Sequence, residues 1–542
     1  MSAPTVHVFT KPDCVYCRSA KHALDRAGIA YDQHDVTADE RTADTAAYYS
    51  GRHTVPQVFA GDTWIEAPED VRALADDGRL AHLVDAAAGP APWDAAGSAV
   101  DGVLARGAED VPLHRYLSTS DGTHDDDPES WPILRFYHDF FGFWPNTFAY
   151  LHHWPTAYKL FVYCQNLASV RGAVDVVGHG GMAAIGYATS AAQGCSYCMT
   201  HAVAYGGQDL DVPAALSDAR RGGSDDGPLG PFEAALADLA ARATRHAVTA
   251  KSLDAVRRTA PDARVGAVDP DAAIQAATQV AASFGFLNVF NDLGGLEIEG
   301  DWAATAAARG VDAGRHGVAD TNPDNLSHAL PQGGPTLQEM LADYARRVGD
   351  PEDYAAEHLG LVPSWVRAWP EASRRHHVYL YTELMGDGEG SRVPAELKHL
   401  MARVSAVARD HASLAAVEGY LATRAPGAGD RSVERVRRAY DAALGRDDGG
   451  AFDDAERAAL RLAWLSAQAP LTTPRRFVEA VTEHFDTQQV VELMVACAVA
   501  SMVQRFVAVS SPETEPEVGR FLARHDLAAD PLDVRYPAAQ RA

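Results

Sequence analysis

The sequence predicts two kinds of structure in one chain: an N-terminal α/β unit and a much longer all-helical region. Over residues 1–86, short apolar runs typical of strands alternate with stretches of helical composition. From about residue 130 onward the chain is rich in Ala, Leu and Arg and has few β-branched runs, which indicates helices. Several features of this second region also recur 215 residues apart, which indicates an internal duplication.

Length, charge and hydropathy limit the classes of function. A chain of 542 residues is too long for one core and suggests about three or four domain-sized units. Its net charge of -27 argues against nucleic acid or an anionic membrane as the main partner. The first residues lack a basic stretch followed by an apolar one, and charged or polar residues interrupt Val490–Val509. We therefore expect a buried helix there and a cytoplasmic location.

The chain has six cysteines, and four of them form two Cys-x-x-Cys pairs. In a reducing compartment such pairs are redox centres or halves of metal sites. Four thiolates could share one zinc ion, but the pairs lie about 180 residues apart in segments of different predicted fold. We therefore expect thiol chemistry and no metal site. The two remaining cysteines lie in apolar helices and are expected to be inert core residues. The six are Cys14, Cys17, Cys164, Cys195, Cys198 and Cys497.

The N-terminal unit follows the order β-α-β-α-β-(β)-α, with the first Cys-x-x-Cys pair at the first strand–helix junction. This combination is typical of a thioredoxin-like fold. The predicted strands are Thr5–Thr10, Ile29–Asp35 and Thr54–Phe59, and the predicted helices run to about Ala27, across Asp39–Tyr49 and from Pro68 to Leu83.

The position of the first pair accounts for its chemistry. A thiol at a helix N-terminus faces unpaired backbone N–H groups, which stabilise its thiolate. Cys14 is therefore the expected nucleophile, and Cys17, one turn later, is expected to resolve the mixed disulfide. A cis-proline turn at Pro56 would place backbone beside the pair, because cis bonds are essentially confined to proline.

These residues resemble a glutaredoxin, through Cys-x-Tyr-Cys, a preceding lysine and Thr-Val-Pro about forty residues later. The resemblance implies no tightly bound cofactor, and glutathione or another low-molecular-weight thiol as electron donor. It implies that Asp70 binds the amine of that thiol or a neighbouring group. Glu66-Ala67 replaces the usual Gly-Gly of this pocket, which leaves a different small thiol or a protein partner open. The residues implied to contact the thiol are Lys11, Tyr16, Thr54, Val55 and Pro56.

The rest of the chain is predicted to contain a linker and two copies of one helical unit. Residues 87–129 are rich in Ala, Gly, Pro and Asp and include an acidic run expected to be a solvated loop. Residues 130–300 and 345–520 form the predicted copies, with a connection at 301–344 and a tail at 521–542. The matching pairs are Trp154-Pro155 with Trp369-Pro370, Thr189-Ser190-Ala191 with Val404-Ser405-Ala406, and Tyr205 with Tyr420.

The second dithiol lies in the first copy alone. At the 215-residue spacing Cys195, Cys198 and His201 fall on Asp410, Ser413 and Ala416. The two sulfurs are expected one turn apart on a helix, near enough to form a disulfide. His201, one turn after Cys198, is expected on the same helix face as a base or hydrogen-bond partner.

This segment resembles the alkylhydroperoxidase D / carboxymuconolactone decarboxylase (AhpD-like) family, which has an apolar helix followed by Cys-x-x-Cys and a histidine. The resemblance implies that Cys198 attacks a hydroperoxide and that Cys195 resolves the product, and it implies a homo-oligomer. Two features depart from the family. Ala183 stands where the family has a relay glutamate, and the histidine comes one residue early. His179 is either a substitute or a plain surface histidine.

Together the two pairs predict a thiol-dependent hydroperoxide reductase, with the glutaredoxin-like unit passing electrons to Cys195/Cys198. A fused donor acts at high effective concentration, and a flexible linker of ~25 residues, from about Ala86 to Val111, spans roughly 25–30 Å. One alternative is a protein disulfide oxidoreductase or redox-regulated module acting on a partner protein. Another is a non-redox decarboxylase-type enzyme, which the retained dithiol disfavours.

Overall fold

A computed structural model describes residues 6–87, 89–95, 97–120, 126–205, 210–222, 227–319 and 330–539. The start of the first predicted strand, most of the acidic run and part of the 301–344 connection lie outside these residues. The chain divides into two compact units. Unit 1 comprises Met1–Val111, Thr472–Ala480 and Ala528–Ala542, and unit 2 comprises Pro112–Leu471 and Val481–Leu527.

Unit 1 is built on a sheet that, within the described residues, has four strands in the order β2-β1-β3-β4. β1 pairs with β2 in parallel and with β3 antiparallel, and β3 pairs antiparallel with β4. This is the thioredoxin-like arrangement that the sequence predicts. The elements are β1 Val6–Thr10, α1 Val15–Arg26, β2 Tyr31–Asp35, α2 Glu40–Ser50, β3 Gln57–Ala60, β4 Thr63–Ile65, α3 Pro68–Asp76, α4 Arg79–Ala86, α5 Asp101–Ala108 and α27 Pro531–Arg535.

The structure differs from the sequence-based elements at two places in this unit. The third strand begins at Gln57 rather than Thr54, because Val55–Pro56 is a cis peptide bond in the turn before it. The predicted helix from Pro68 to Leu83 is two helices, because Gly78 adopts φ 79° between them. A left-handed residue cannot continue a right-handed helix, and glycine adopts it without steric cost.

The segments predicted as linker and tail also carry ordered structure. Residues 101–108 form α5, which packs on α2 and buries Leu104 and Ala108. In the C-terminal segment, Leu532 and Tyr536 join the core of unit 1 around Val6, Leu24 and Val71. Both segments were predicted from composition, which does not show where a short apolar face finds a partner.

Unit 2 is helical in its described residues, and the first part of α24, up to Ala480, belongs to unit 1. The helices that follow α5 are α6 Trp131–Phe141, α7 Asn146–Leu151, α8 Pro155–Leu160, a π-helical segment Phe161–Val170, α9 Arg171–Gln193, α10 Ser196–Tyr205, α11 Val212–Arg220, α12 Pro231–Thr244, α13 Ala250–Thr259, α14 Pro270–Gly294, α15 Gly300–Ala307, α16 Leu337–Arg346, α17 Pro351–Leu359, α18 Ser364–Ala368, α19 Glu371–Met385, α20 Ala395–Ala408, α21 Ala412–Ala422, α22 Ser432–Leu444, α23 Asp454–Ser466, α24 Arg475–His484, α25 Thr487–Ser510 and α26 Pro516–His525. Short 3₁₀ turns lie at Leu113–Tyr116, Ala260–Asp262, Gly314–His316 and, in unit 1, Pro537–Ala539.

The two longest helices, α14 and α25, pack against each other. Each is long and apolar enough to cross a membrane by length and composition, yet most of each is buried by other helices. A core helix of a large helical unit passes the same test, because it is apolar on all faces. The burial of α25 agrees with the buried helix expected around Val490–Val509.

Candidate active sites

The first dithiol lies at the N-terminus of α1, directly after β1. Cys14 precedes the helix, and its sulfur accepts a hydrogen bond from the backbone N–H of Cys17 at 3.1 Å. The two cysteines are joined in a disulfide in this structure. Cys14 Sγ lies 3.9 Å from the carbonyl oxygen of Val55, so the cis-proline turn is beside the pair, as predicted. The residues between the cysteines, Val15 and Tyr16, are exposed.

The residues implied to contact a small thiol differ in their exposure. Lys11 is exposed, Thr54 and Val55 are half-buried, and Pro56 is buried. These surround the turn and the helix start. Their contact with a thiol stays a prediction.

Asp70 has a different environment. It lies in the first turn of α3, and both of its carboxylate oxygens are engaged by the C-terminal segment of unit 1. Arg535 donates to Oδ1 at 2.8 Å and the hydroxyl of Tyr536 donates to Oδ2 at 2.7 Å. The same hydroxyl accepts from the backbone N–H of Glu66 at 2.8 Å. The expected role of Asp70 toward a ligand therefore competes with a buried ion pair within the chain.

The second dithiol starts helix α10, after α9 ends at Gly194 with φ 95°. Cys195 and Cys198 are free thiols, and both are buried. The sulfur of Cys195 accepts from the backbone N–H of Cys198 at 3.4 Å. Burial is the main cause that raises the pKa of Cys195, and its contact with Cys198 adds to it. The spacing predicted from sequence is thus realised, with Cys195 the more deeply enclosed sulfur.

Cys198 borders a small cavity of about 60 Å³ with a largely apolar lining. Asn291, on α14, donates from Nδ2 to the sulfur of Cys198 at 3.4 Å. A donor to sulfur favours the thiolate over the thiol. The lining includes Phe141, Phe148, Met182, Tyr197, His201 and Leu287.

His201 has a carboxylate partner that the sequence did not reveal. Its Nε2 lies 2.8 Å from Oε2 of Glu299, the residue that precedes α15. The other carboxylate oxygen accepts from the hydroxyl of Tyr197 at 3.0 Å and from the backbone N–H of Asn146 at 2.8 Å. Burial alone would raise the pKa of Glu299, but His201 and these donors outweigh it and hold the pKa below its usual value. Glu299 is therefore an ionised partner that orients His201.

Ala183 and His179, the two positions that the sequence leaves open, both lie on α9. Ala183 is buried in an apolar core cluster on α9, and His179 is exposed on the same helix. The carboxylate comes instead from Glu299, 98 residues after His201 in the chain. A Glu-Gly step ahead of a short helix is the only local signal, and it does not point to a particular histidine.

A second histidine–carboxylate pair lies beside Cys195. Nε2 of His316 is 2.9 Å from Oδ1 of Asp292 and 3.9 Å from the sulfur of Cys195. Nδ1 of His316 is 3.0 Å from the carbonyl oxygen of Leu296. All of these side chains are buried. His316 lies in the segment 301–344, which the sequence predicts only as a connection, and no sequence pattern places it beside Cys195.

Among the described residues, Cys195, Asp292 and His316 form a group whose donor atoms lie within 4.8 Å of one another, as a metal site requires. Two ligands of one tetrahedral zinc ion, each bound at about 2.0–2.2 Å, are separated by roughly 3.3 Å. The nitrogen and oxygen of His316 and Asp292 are closer than that, at 2.9 Å. Their spacing is that of a direct hydrogen bond.

Cys164 and Cys497 are buried in helical cores, as expected. Burial raises the pKa of both thiols, to about 12 for Cys497. A thiol held in this way is a poor nucleophile, because the thiolate is the reactive form.

The fold and geometry of unit 1 define a class of protein: a thioredoxin-fold dithiol oxidoreductase, with the first sulfur at a helix N-terminus and a cis-proline turn against it. The glutaredoxin family model matches residues 6–65. The chain is 34% identical over 82 residues to a glutaredoxin of Neisseria meningitidis, a match that covers 15% of this chain and 96% of that protein. The chain therefore belongs to the glutaredoxin family, through its N-terminal unit.

Two further relatives are similar to part of the chain. The hybrid peroxiredoxin hyPrx5 of Haemophilus influenzae is 34% identical over 67 residues, which is 12% of this chain and 27% of that protein. A solution structure of glutaredoxin from Brucella melitensis is 34% identical, covers 16% of this chain and 92% of that one, and has a TM-score of 0.15. Family membership supports thiol–disulfide exchange at Cys14 and Cys17.

Proposed function

We propose that this chain is a thiol-dependent hydroperoxide reductase in which the glutaredoxin unit supplies electrons to Cys195 and Cys198. The observation that carries the proposal is the apolar cavity bordered by Cys198 together with His201, whose imidazole is held by Glu299. A buried nucleophile beside a base that is itself oriented by a third group is the arrangement of an activated thiol. The resemblance to AhpD-like proteins supports the same assignment.

The first step oxidises Cys198. His201 takes the thiol proton, and the thiolate attacks one oxygen of the hydroperoxide. The O–O bond breaks, Cys198 becomes a sulfenic acid, and the alcohol leaves with the proton returned by His201. Asn291 stabilises the thiolate through its donor at 3.4 Å.

The second step forms a disulfide. The sulfur of Cys195 attacks the sulfenic sulfur of Cys198, the S–O bond breaks, and water leaves with the proton of Cys195. A dithiol–disulfide exchange with reduced Cys14 and Cys17 then restores both thiols. A small thiol re-reduces the glutaredoxin pair. A relative named as a hybrid peroxiredoxin, matched over 67 residues, supports such a pairing of activities.

This proposal includes a duplicated AhpD-like helical region, in which the second copy lacks the dithiol, as well as a homo-oligomer and a cytoplasmic location. The two long apolar helices, α14 in one predicted copy and α25 in the other, support the duplication. The net charge of -27 favours small-molecule substrates over nucleic acid or an anionic membrane.

The test is consumption of several hydroperoxides by the reduced protein in stopped flow. We expect Cys198→Ser to abolish consumption, whereas the matched control Cys164→Ser, at a buried thiol outside the site, retains it. Consumption unchanged by Cys198→Ser would refute a peroxidase role. Cys14→Ser is expected to stop turnover with a small thiol while the first oxidation of Cys198 persists. Normal turnover in that variant would refute the relay.

A second candidate is disulfide exchange with a partner protein at Cys14. It is favoured by the exposed apolar side chains of Val15 and Tyr16, which are 65% and 62% exposed beside the nucleophile. Exposed apolar side chains at a reactive site suit a protein surface. Cys17→Ser should trap the partner as a mixed disulfide on Cys14, and recovery of small thiols alone would count against this candidate.

A further inference from the structure

We propose that His316 and Asp292 form a proton reservoir dedicated to Cys195. This inference rests on the proposed cycle of Cys195 and Cys198. The two sulfurs then have separate partners. His201, which is held by Glu299, lines the cavity that Cys198 borders, whereas His316 lies 3.9 Å from Cys195.

The protonation of this pair follows from its hydrogen bonds. A carbonyl oxygen only accepts, so the contact with Leu296 at 3.0 Å requires a hydrogen on Nδ1 of His316. The contact between Nε2 and the Asp292 carboxyl at 2.9 Å requires one more hydrogen between them. The pair therefore holds a second, transferable proton, either as imidazolium with carboxylate or as imidazole with carboxylic acid. Nε2, the nitrogen that shares this proton with Asp292, is also the atom 3.9 Å from the sulfur of Cys195.

Cys195 needs such a donor when its disulfide is reduced. An incoming thiolate attacks the sulfur of Cys198, the S–S bond breaks, and Cys195 leaves with the electron pair. A thiolate is costly at a site that is completely buried, as the raised pKa of Cys195 shows. Transfer of the proton from His316 and Asp292 yields the neutral thiol, and solvent reloads the pair.

Other ionisable groups face the same site. Asp292 raises the pKa of Cys195, and the buried guanidinium of Arg505 interacts with both thiols and with Asp292. The Tyr197 ring lies 5.9 Å from that of His316. Arg315 donates to the backbone carbonyl of Asp292. None of these provides a hydrogen on the side of Cys195 that His316 occupies, so the reservoir is the pair itself.

The test is reduction of the Cys195–Cys198 disulfide by dithiothreitol in the full-length protein, which requires no peroxide. In His316→Gln we expect reduction to slow about 100-fold, as for loss of a general acid, while the first reaction of Cys198 with peroxide changes less than about twofold. Asp292→Asn should slow reduction similarly and serves if His316→Gln does not fold. Unchanged reduction in either folded variant would overturn the proposal, as would stoichiometric zinc in the wild-type protein that His316→Gln loses. If the wild-type protein does not consume peroxide but His316→Gln still slows reduction of the Cys195–Cys198 disulfide, the proposed peroxidase function is refuted and the proton reservoir is not.

A separate observation in unit 1 supports a second inference. We infer that Arg535 and Tyr536 occupy the carboxylate of Asp70, which would otherwise bind the ammonium group of a small thiol. The guanidinium of Arg535 donates at 2.8 Å and the hydroxyl of Tyr536 donates at 2.7 Å. Both oxygens of the buried Asp70 carboxylate therefore already accept a hydrogen bond from within the chain. A thiol that needs this anchor must displace a buried ion pair, which is costly because it leaves a charge unpaired. The pocket thus selects a thiol that binds without a free ammonium group.

This second inference is tested by comparing glutathione with N-acetylglutathione as reductants of Cys14–Cys17. The acetyl group removes the ammonium charge, and we expect the two thiols to have KM values within about twofold in the wild-type protein. In Arg535→Met, the KM for glutathione should fall about tenfold, and that for the acetylated thiol should not, whereas Arg535→Lys should behave as wild type. A tenfold preference for glutathione in the wild-type protein would overturn the inference without any variant. No change in Arg535→Met would also overturn it.

Discussion

Cys14 and Cys195 are each the first sulfur of a Cys-x-x-Cys pair at the start of a helix. Each accepts a hydrogen bond from the backbone N–H three residues later, at 3.1 Å and 3.4 Å. Around Cys14 the chain exposes its neighbours, and no histidine is bonded to the pair in the described residues. Around Cys195 and Cys198 the chain is buried and provides two histidine–carboxylate pairs. The same motif therefore lies beside exposed residues in unit 1 and in a buried setting in unit 2.

The difference teaches that the spacing of two cysteines fixes their mutual geometry but not their reactivity. A helix N-terminus favours the thiolate at both sites. At the second site burial disfavours the thiolate. In the proposed cycle, side chains therefore transfer the protons that solvent exchanges at the first site.

Alkylation of the fully reduced protein should separate the two pairs most strongly. Burial raises the pKa of Cys195, whereas Cys14 lies at a helix N-terminus beside exposed neighbours, so the reactive thiolate is scarcer at Cys195. We therefore expect iodoacetamide to modify Cys14 more than about 100-fold faster than Cys195, as measured by mass spectrometry over time. Cys497, whose pKa burial raises to about 12, is the internal slow control. Equal rates at Cys14 and Cys195 would remove the contrast.

Loss of the carboxylate behind His201 should impair the second site and spare the first. In Glu299→Gln the half-buried imidazole of His201 loses its anionic partner, so we expect oxidation of Cys198 by peroxide to slow about 100-fold. Glutaredoxin-type exchange at Cys14 should be unchanged. Glu297→Gln, at an exposed side chain two residues earlier, is the matched control. A similar loss in both variants would indicate a general structural effect.

Substitution of Asp70 should destabilise unit 1 more than it alters the chemistry of Cys14. Asp70→Asn removes the charge that pairs with a buried guanidinium, which costs about 2–4 kcal/mol. Denaturant unfolding followed by the fluorescence of the protein should show this loss. Asp62→Asn, at an exposed residue of the same unit, should change stability by less than about 0.5 kcal/mol. An unaltered free energy of unfolding in Asp70→Asn would show that the ion pair contributes little.

The acid sensitivity of unit 2 should follow Glu299. Its pKa is lowered in the folded protein from the ordinary 4.5, so the folded state binds fewer protons at this group than the unfolded state. The stabilisation is complete above pH 4.5 and is lost as the pH falls through the lowered pKa. Each pH unit by which folding lowers the pKa of Glu299 adds about 1 kcal/mol to the free energy of unfolding. Unfolding of wild type and Glu299→Gln between about pH 3 and about pH 7 should converge at the acid end, and parallel curves would contradict this.

The sequence predicted the fold of unit 1 closely because its signals are local. A strand, a turn and a helix N-terminus around Cys14 each depend on a few adjacent residues. The helical character of unit 2 was predicted for the same reason, whereas the division into two copies stays a prediction. Composition misjudged α5 and the C-terminal segment, where short apolar faces such as Leu104 and Tyr536 find their partners far along the chain.

By itself the sequence determined that each cysteine pair lies one helical turn apart, that Pro56 turns the chain beside the first pair, and that His201 shares a helix with Cys198. These relations span three to about forty residues and follow from backbone geometry. Only the tertiary structure decided which charges complete the sites. Glu299 reaches His201 across 98 residues, His316 reaches Cys195 across 121, and Arg535 reaches Asp70 across 465. Such pairs form because a buried charge requires a partner, and packing alone determines which partner is near.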